Sequence, residues 1–267
     1  MKKKRLTELK LIEKLPVSVL STFGHNGVDW THSLLDSHPN ILIMPAFSFF
    51  RSLKRFEGFH KSFEINKNKK FDLAKIHIFA RLFAIYLSTD KNFKTKKRNF
   101  FFKKSDVSLF ETNLLFALNN YRLKNFSKKL FFSIHYAFSK THKIKIKDKM
   151  IIVAQEHLPW LSPKYEELFN SKYIFMMRDP RASFGGGILQ MINSNSDRKI
   201  NAYQFDMMLL CWISAYNFCK KIQKKSNIII LKNEEMHKNL KKEMKKLCKW
   251  LNIKFSTSCL TQTFMKK

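Results

Sequence analysis

The sequence predicts an α/β fold: a central parallel sheet with helices on both faces, carrying a helical insertion. Three observations predict it. Four short apolar runs, at 17–20, 150–154, 173–177 and 228–231, are each followed by polar or turn residues. That is the pattern of strands buried on both faces. The stretches between these runs have helical periodicity, and strands alternating with helices pair in parallel. The third observation is residues 51–149, rich in Lys and Phe, where no such strand run is found.

Taken in order, the run at 17–20 leads into a glycine-bracketed loop and an amphipathic helix over 29–36, with Trp30, Leu34 and Leu35 on one face. The insertion follows, with three helical patterns at 71–87, 106–123 (Ser105 as N-cap) and 128–138, separated by Lys/Asn-rich connectors at 66–70 and 90–104. It reads either as a solvated cap that only packs or as a contributor to acceptor binding. Beyond it, Phe205, Leu209, Trp212, Ile213 and Tyr216 recur at three- and four-residue steps in a helix over 202–221. A last helix spans 234–251. The expected organisation is one domain over 1–267, with 51–149 as the insertion.

A chain of 267 residues with 45% hydrophobic content can bury a core and is not disordered. No uncharged apolar run is long enough to span a bilayer. The basic start lacks the apolar region of a secretory signal. Cys211, Cys219, Cys248 and Cys259 lack metal-ligand spacing, which points to reduced thiols in a cytoplasmic protein and to no metal. Lys and Arg number 51 against 20 Asp and Glu, for a net charge of +31. Such a charge draws a chain toward nucleic acid, anionic lipid or acidic glycans. Abundant Lys, Asn, Ile and Phe together also reflect AT-rich coding bias. No nucleic-acid-binding motif interleaves with the basic segments, so no specific nucleic-acid partner is expected. Peripheral contact with the anionic inner face of a membrane remains open.

Two segments carry chemistry. Residues 22–39 read TFGHNGVDWTHSLLDSHP. Strand, tight glycine loop and helix start together bring backbone N–H groups and the positive end of a helix dipole to one point, a cradle for phosphate. The plainer reading is a glycine turn that starts a helix. No Gly-Lys-Ser/Thr occurs, which excludes a Walker A loop and argues against ATP or GTP hydrolysis. Residues 173–183 read YIFMMRDPRAS. Here a buried strand ends in Arg178, with Pro180 suited to the first turn of a helix. Arg178 then lies at the carboxyl end of a sheet strand, where open α/β sheets place ligands, and its guanidinium can fork onto phosphate. An Arg–Asp pair that merely caps a helix is the alternative.

The two segments together resemble the PAPS-dependent sulfotransferase family (PAPS is 3′-phosphoadenosine 5′-phosphosulfate). A leucine-rich helix ending in His-Pro, the turn EHLPW at 156–160, and IIILKNEEM at 228–236 before a basic helix extend the likeness. It covers 15–50 and 150–265. It implies the P-loop NTPase-like sulfotransferase fold and transfer of a sulfuryl group from PAPS to a hydroxyl of an acceptor that the sequence does not identify, with a carbohydrate or lipid-linked sugar as the candidate, leaving PAP. The donor would be held by Gly24, His25, Asn26, Gly27, Val28, Asp29 and Trp30 at its phosphosulfate end. Arg178, Ser183 and Gly186 would take its 3′-phosphate. His157 matches the catalytic base of cytosolic members, and a histidine near its usual pKa suits that task; a structural histidine at a helix start is the plainer alternative. His25, catalytic beside it, replaces the family's Lys or Arg.

Other departures stand out. Val28 and Asp29 replace two threonines, and Gly186 replaces a serine. Asp29 either points away from the pocket or occupies the amides that a phosphate needs. In the second case the chain is a degenerate member that binds an anionic glycan or membrane surface without catalysis. The sequence given stops at Lys267, before the Gly- and Trp-containing loop that closes over the nucleotide in many members.

Overall fold

The computed structural model describes residues 2–22, 26–55, 77–78, 80–82, 104–121, 123, 125–194 and 201–263. Five parallel strands form one sheet: β1 (Val17–Ser21), β2 (Ile41–Ser48), β3 (Ile151–Glu156), β4 (Lys172–Met177) and β5 (Ile228–Lys232), in the order β2-β3-β1-β4-β5. β1 is therefore central. Its register sets Ser21 beside Glu156 of β3 on one side and Phe175 of β4 on the other. Every residue of β1 and β3 is buried, which explains why these strands read as continuous apolar runs rather than alternating ones.

Chain contacts divide the molecule into two compact units, 1–15 with 52–149 and 16–51 with 150–267. The second holds the sheet. On one sheet face α1 (Val28–Asp36) and α2 (Leu240–Trp250) bury Leu34, Leu35, Met244 and Leu247 against Leu20, Ile43, Val153, Ile174 and Leu231. On the other, α3 (Ala202–Ile222) packs Cys219 and Ile222 against Phe175. The helices α4 (Pro163–Phe169), α5 (Pro180–Ser194) and α6 (Asn233–Lys238) complete this unit.

The first unit is helical in its described part. Its helices α7 (Lys2–Glu13), α8 (Lys104–Asn120) and α9 (Phe126–Thr141) surround Arg5. That guanidinium lies 3.6 Å from the Phe116 ring centroid and donates to Tyr136 Oη (3.2 Å) and Asn113 Oδ1 (3.0 Å). Tyr121 Oη donates to Leu9 O at 3.1 Å. The N-terminal helix thus belongs with 52–149. Helix α10 (Phe49–Arg55) contains the division between the units.

Three sequence expectations change. Residues 41–48 form β2, where the sequence pattern predicts no strand. Pro45 lacks the N–H a central strand must donate, but β2 is an edge strand, and its pairing with β3 shifts register between Ile43 and Ser48. The helix expected over 234–251 is broken at Asn239, whose φ of −140° is not helical. Ser105 lies inside α8, which starts at Lys104, and so is not its N-cap. The helix expected over 71–87 falls on described residues only at 77–78 and 80–82, which are helical. Among the described residues no helix is long and apolar enough to cross a membrane.

Candidate active site

The carboxyl ends of β1, β3 and β4 are adjacent, and the chain leaves each of them through a residue that matters chemically. After β1, Thr22 Oγ1 donates to Met176 O at 2.9 Å, and Asn26 Nδ2 donates to Thr22 Oγ1 at 2.9 Å. Both side chains are buried. This relay ties the loop's far side to the end of β4. Gly27 follows in the left-handed region, at φ +86°. A Cβ there would overlap Nδ2 of the buried Asn233, the first residue of α6. Only glycine satisfies both the backbone angle and the approach.

Gly27 is the N-cap of α1 and offers no side chain to the helix start. Among the described residues the Asp29 carboxylate accepts from Gln155 Nε2 at 2.8 Å. Val28 is buried in the core, and the Trp30 ring stacks on His237 of α6 with centroids 4.1 Å apart. Gly24 and His25 lie outside the described residues.

β3 ends in two polar residues, Gln155 and Glu156, with His157 just past it; Gln155 and His157 turn to one side and Glu156 to the other. Gln155, 1% exposed, meets Asp29 and approaches His157 Nε2 at 2.9 Å. His157 Nε2 lies 3.8 Å from Asp29 Oδ1. Glu156 is fully buried: Ser48 Oγ donates to its Oε1 at 2.5 Å, Leu158 N to the same oxygen at 3.2 Å, and Tyr165 Oη to Oε2 at 3.5 Å. Burial pushes the Glu156 carboxyl up to about 7, against the smaller pull of these donors. β3 runs to Glu156, two residues past the apolar run that ends at Ala154; Gln155 lies outside the motifs of the sequence, and Glu156 enters them only as the first residue of the EHLPW turn. Two polar residues closing an apolar run were the available signal.

β4 leads into Arg178, which is half-buried, and then Asp179. Asp179 N donates to Glu234 Oε1 at 2.8 Å, tying this turn to α6. The Asp179 carboxylate accepts from Arg181 Nη2 (2.6 Å), Nε (3.0 Å) and N (2.8 Å). These bonds to Arg181 hold its carboxyl down at about 2. The Arg–Asp pair at this helix start is made by Arg181. Ser183 is buried on α5 with its N–H on Asp179 O at 2.9 Å, and Gly186 is half-buried one turn later. The rim thus gathers Asn26, Gly27, Asp29, His157 and Arg178 onto three neighbouring strand ends, while Trp30 serves the packing of α1 against α6.

A second polar cluster lies apart from this chemistry. His38, Cys248 and Cys259 are buried with their ligand-type atoms within 4.8 Å of one another. His38 Nδ1 accepts from Asn40 N (3.1 Å), and Nε2 lies 3.0 Å from Lys254 O. Both ring nitrogens are engaged by backbone, so the imidazole ties the end of α1 to the segment after α2 and has no lone pair free for a metal.

The model of the sulfotransferase domain family matches residues 17–266. The chain belongs to this family. No curated protein matches it. Among solved structures it is similar to the sulfotransferase domain of the Synechococcus PCC 7002 olefin synthase, at 11% identity and a TM-score of 0.48, covering 94% of this chain and 78% of that one. It is also similar to the sulfotransferase domain from the curacin biosynthetic pathway, at 13% identity and a TM-score of 0.49, covering 95% and 81%.

Proposed function

We propose that the protein transfers a sulfuryl group from PAPS to an acceptor hydroxyl of a carbohydrate or lipid-linked sugar. One observation carries this reading: three adjacent strand ends present the Gly27 turn, His157 and Arg178 along a single rim. The residues present suit the donor. Among the described residues Gly27 gives α1 no side-chain cap and Asp29 is held on Gln155, which suits the helix start to an anion. When bound, PAPS supplies the sulfuryl group and departs as PAP with the electrons of the broken S–O bond.

The chain's own residues do the rest. The turn at Asn26–Gly27 and the first amides of α1 hold the phosphosulfate end, and His25 adds charge there once protonated. Arg178 holds the 3′-phosphate as a fork, with Ser183 and Gly186 beside it. His157 takes the proton of the acceptor hydroxyl on its imidazole, and the oxygen keeps the bonding pair. The net charge of +31 supports an anionic acceptor, or one carried on an anionic membrane surface. The test is incubation with PAPS and a panel of glycans and glycolipids, reading PAP release and the mass of the acceptor. Release that requires an acceptor supports the reading. No release across the panel, with no binding of PAP, overturns it.

A further inference from the structure

We infer that the exposed apolar face of α3 is a docking surface for an anionic lipid bilayer, and that it brings lipid headgroups to the side of the rim. The docking stands independently of the function proposed above. Its bearing on the acceptor, a lipid with a hydroxyl in its headgroup, rests on that reading. α3 meets its own unit through a narrow stripe, its buried residues being Met208, Ala215, Cys219 and Ile222. Most of its first four turns is apolar and exposed: Tyr203 (71%), Met207, Leu209, Leu210 (57%), Ile213 and Tyr216. A helix that is apolar on nearly all sides is ordinarily buried. A contiguous apolar surface left outside marks a contact with protein or membrane.

The apolar turns are those nearest the site. The last turns of α3, with Cys219 and Ile222, pack on Phe175 beside Ile228, where the chain enters β5 at its amino end. The earlier residues Phe205 and Trp212 instead meet Phe184 of α5, with ring centroids 6.2 and 6.1 Å away. α5 leaves the carboxyl end of β4 two residues after Arg178, and Phe184 directly follows Ser183. The turn Pro159–Leu161, two residues past His157, also packs against α3 and exposes Trp160. The apolar face is thus joined to the rim through both His157 and Arg178.

Charge selects the occupant. Beyond Tyr216 the helix turns basic: Lys220, Lys221 and, just past its end, Lys224 are exposed, with no ion pair among the described residues. The single acid of α3, Asp206, lies in its second turn, near the end where the helix dipole favours an anion. Apolar residues with tyrosines among them, followed by lysines, make up a helix that lies flat in a membrane interface. α3 has 21 residues and is about 31 Å long, so the apolar and basic parts engage one flat surface together. A second copy of the chain would cover the apolar part, but two chains of net charge +31 repel. An anionic bilayer satisfies both parts.

The test is co-sedimentation of the full chain with vesicles of phosphatidylcholine and phosphatidylserine in equal parts. Wild type should bind them. Leu210→Gln with Ile213→Gln changes only exposed positions and should weaken binding at least tenfold. Lys220→Gln, Lys221→Gln and Lys224→Gln together should also weaken it at least tenfold. Lys2→Gln, Lys3→Gln and Lys4→Gln on α7 remove the same charge elsewhere and should cost no more than a fewfold. No binding by wild type, or an equal loss in the α7 control, overturns the inference. So does a wild-type dimer that Leu210→Gln with Ile213→Gln dissociates in sedimentation equilibrium, since the face then seats a second copy. Unfolding of that variant in urea well before wild type overturns it too, because the chain itself then covers the face. Vesicle binding is read without PAPS. If vesicles bind as stated and PAP does not, the proposed function fails and the docking stands; if PAP binds and vesicles do not, the docking fails alone.

Discussion

Gly27→Ala tests whether the turn after β1 is built around the absence of a side chain. Two costs follow from the structure. An alanine held at φ +86° is strained by about 1–2 kcal/mol. Its Cβ would overlap Nδ2 of Asn233 and sit 3.1 Å from Cγ, forcing a buried side chain out of place, for about 1–3 kcal/mol more. Loss of glycine's freedom in the unfolded chain offsets about 0.5–1 kcal/mol. The net expectation is a loss of about 1–4.5 kcal/mol. All four tryptophans (Trp30, Trp160, Trp212 and Trp250) lie in the sheet-bearing unit, so urea unfolding followed by tryptophan fluorescence reports on that unit. A double-mutant cycle with Asn233→Ala separates the two costs. Removing Asn233 relieves the overlap but not the angle, so the double variant should be more stable than the two single losses sum to, by about 1–3 kcal/mol. A Gly27→Ala protein as stable as wild type, or strictly additive losses, refutes the reasoning.

Glu156 gives a pH test. Its folded pKa of about 7 lies above the ordinary 4.5, so the folded state holds a proton that the unfolded state releases. Its contribution is fully present below about 4.5 and is lost as pH rises through 7, for about 3 kcal/mol in all. Glu156→Gln should abolish this slope between pH 4.5 and 8 in urea titrations; an unchanged slope removes Glu156 as its source. His157→Ala should lower turnover by about 10²–10⁴ while PAP affinity, read by calorimetry, stays within a fewfold of wild type; a fully active variant removes His157 as base. Arg181→Ala should leave PAP affinity nearly unchanged, because its guanidinium is spent on Asp179. A large loss in that titration would assign the phosphate to Arg181 instead.

Much of the sheet was legible because its strands are buried on both faces and read as uninterrupted apolar runs. The runs at 17–20, 173–177 and 228–231 are strands, and the sheet is parallel. The strand at 41–48 was hidden by Pro45, which argues against a central strand and is tolerated only because β2 lies at an edge. The helix break at Asn239 was hidden because the apolar period runs on through it: Met236, Met244 and Leu247 all reach the core. At the site, the glycine loop and the Arg178 turn were visible as local motifs. Their supports were not. Asn233 matters because it lies against Gly27, 206 positions earlier, and Gln155 because it lies between Asp29 and His157. Such contacts depend on strand order, which no local pattern encodes. The competing expectations for Asp29 needed the folded geometry to separate them, since a carboxylate in the first turn of a helix can turn toward its amides or away.

The account stands on a nucleotide bound along the rim between Gly27 and Arg178, and calorimetric titration of PAP into wild type and Arg178→Ala tests it most directly. Saturable one-to-one binding to wild type, weakened at least tenfold in the variant without loss of folding, is the expected result. No heat with wild type, or equal affinity in the two proteins, would contradict it.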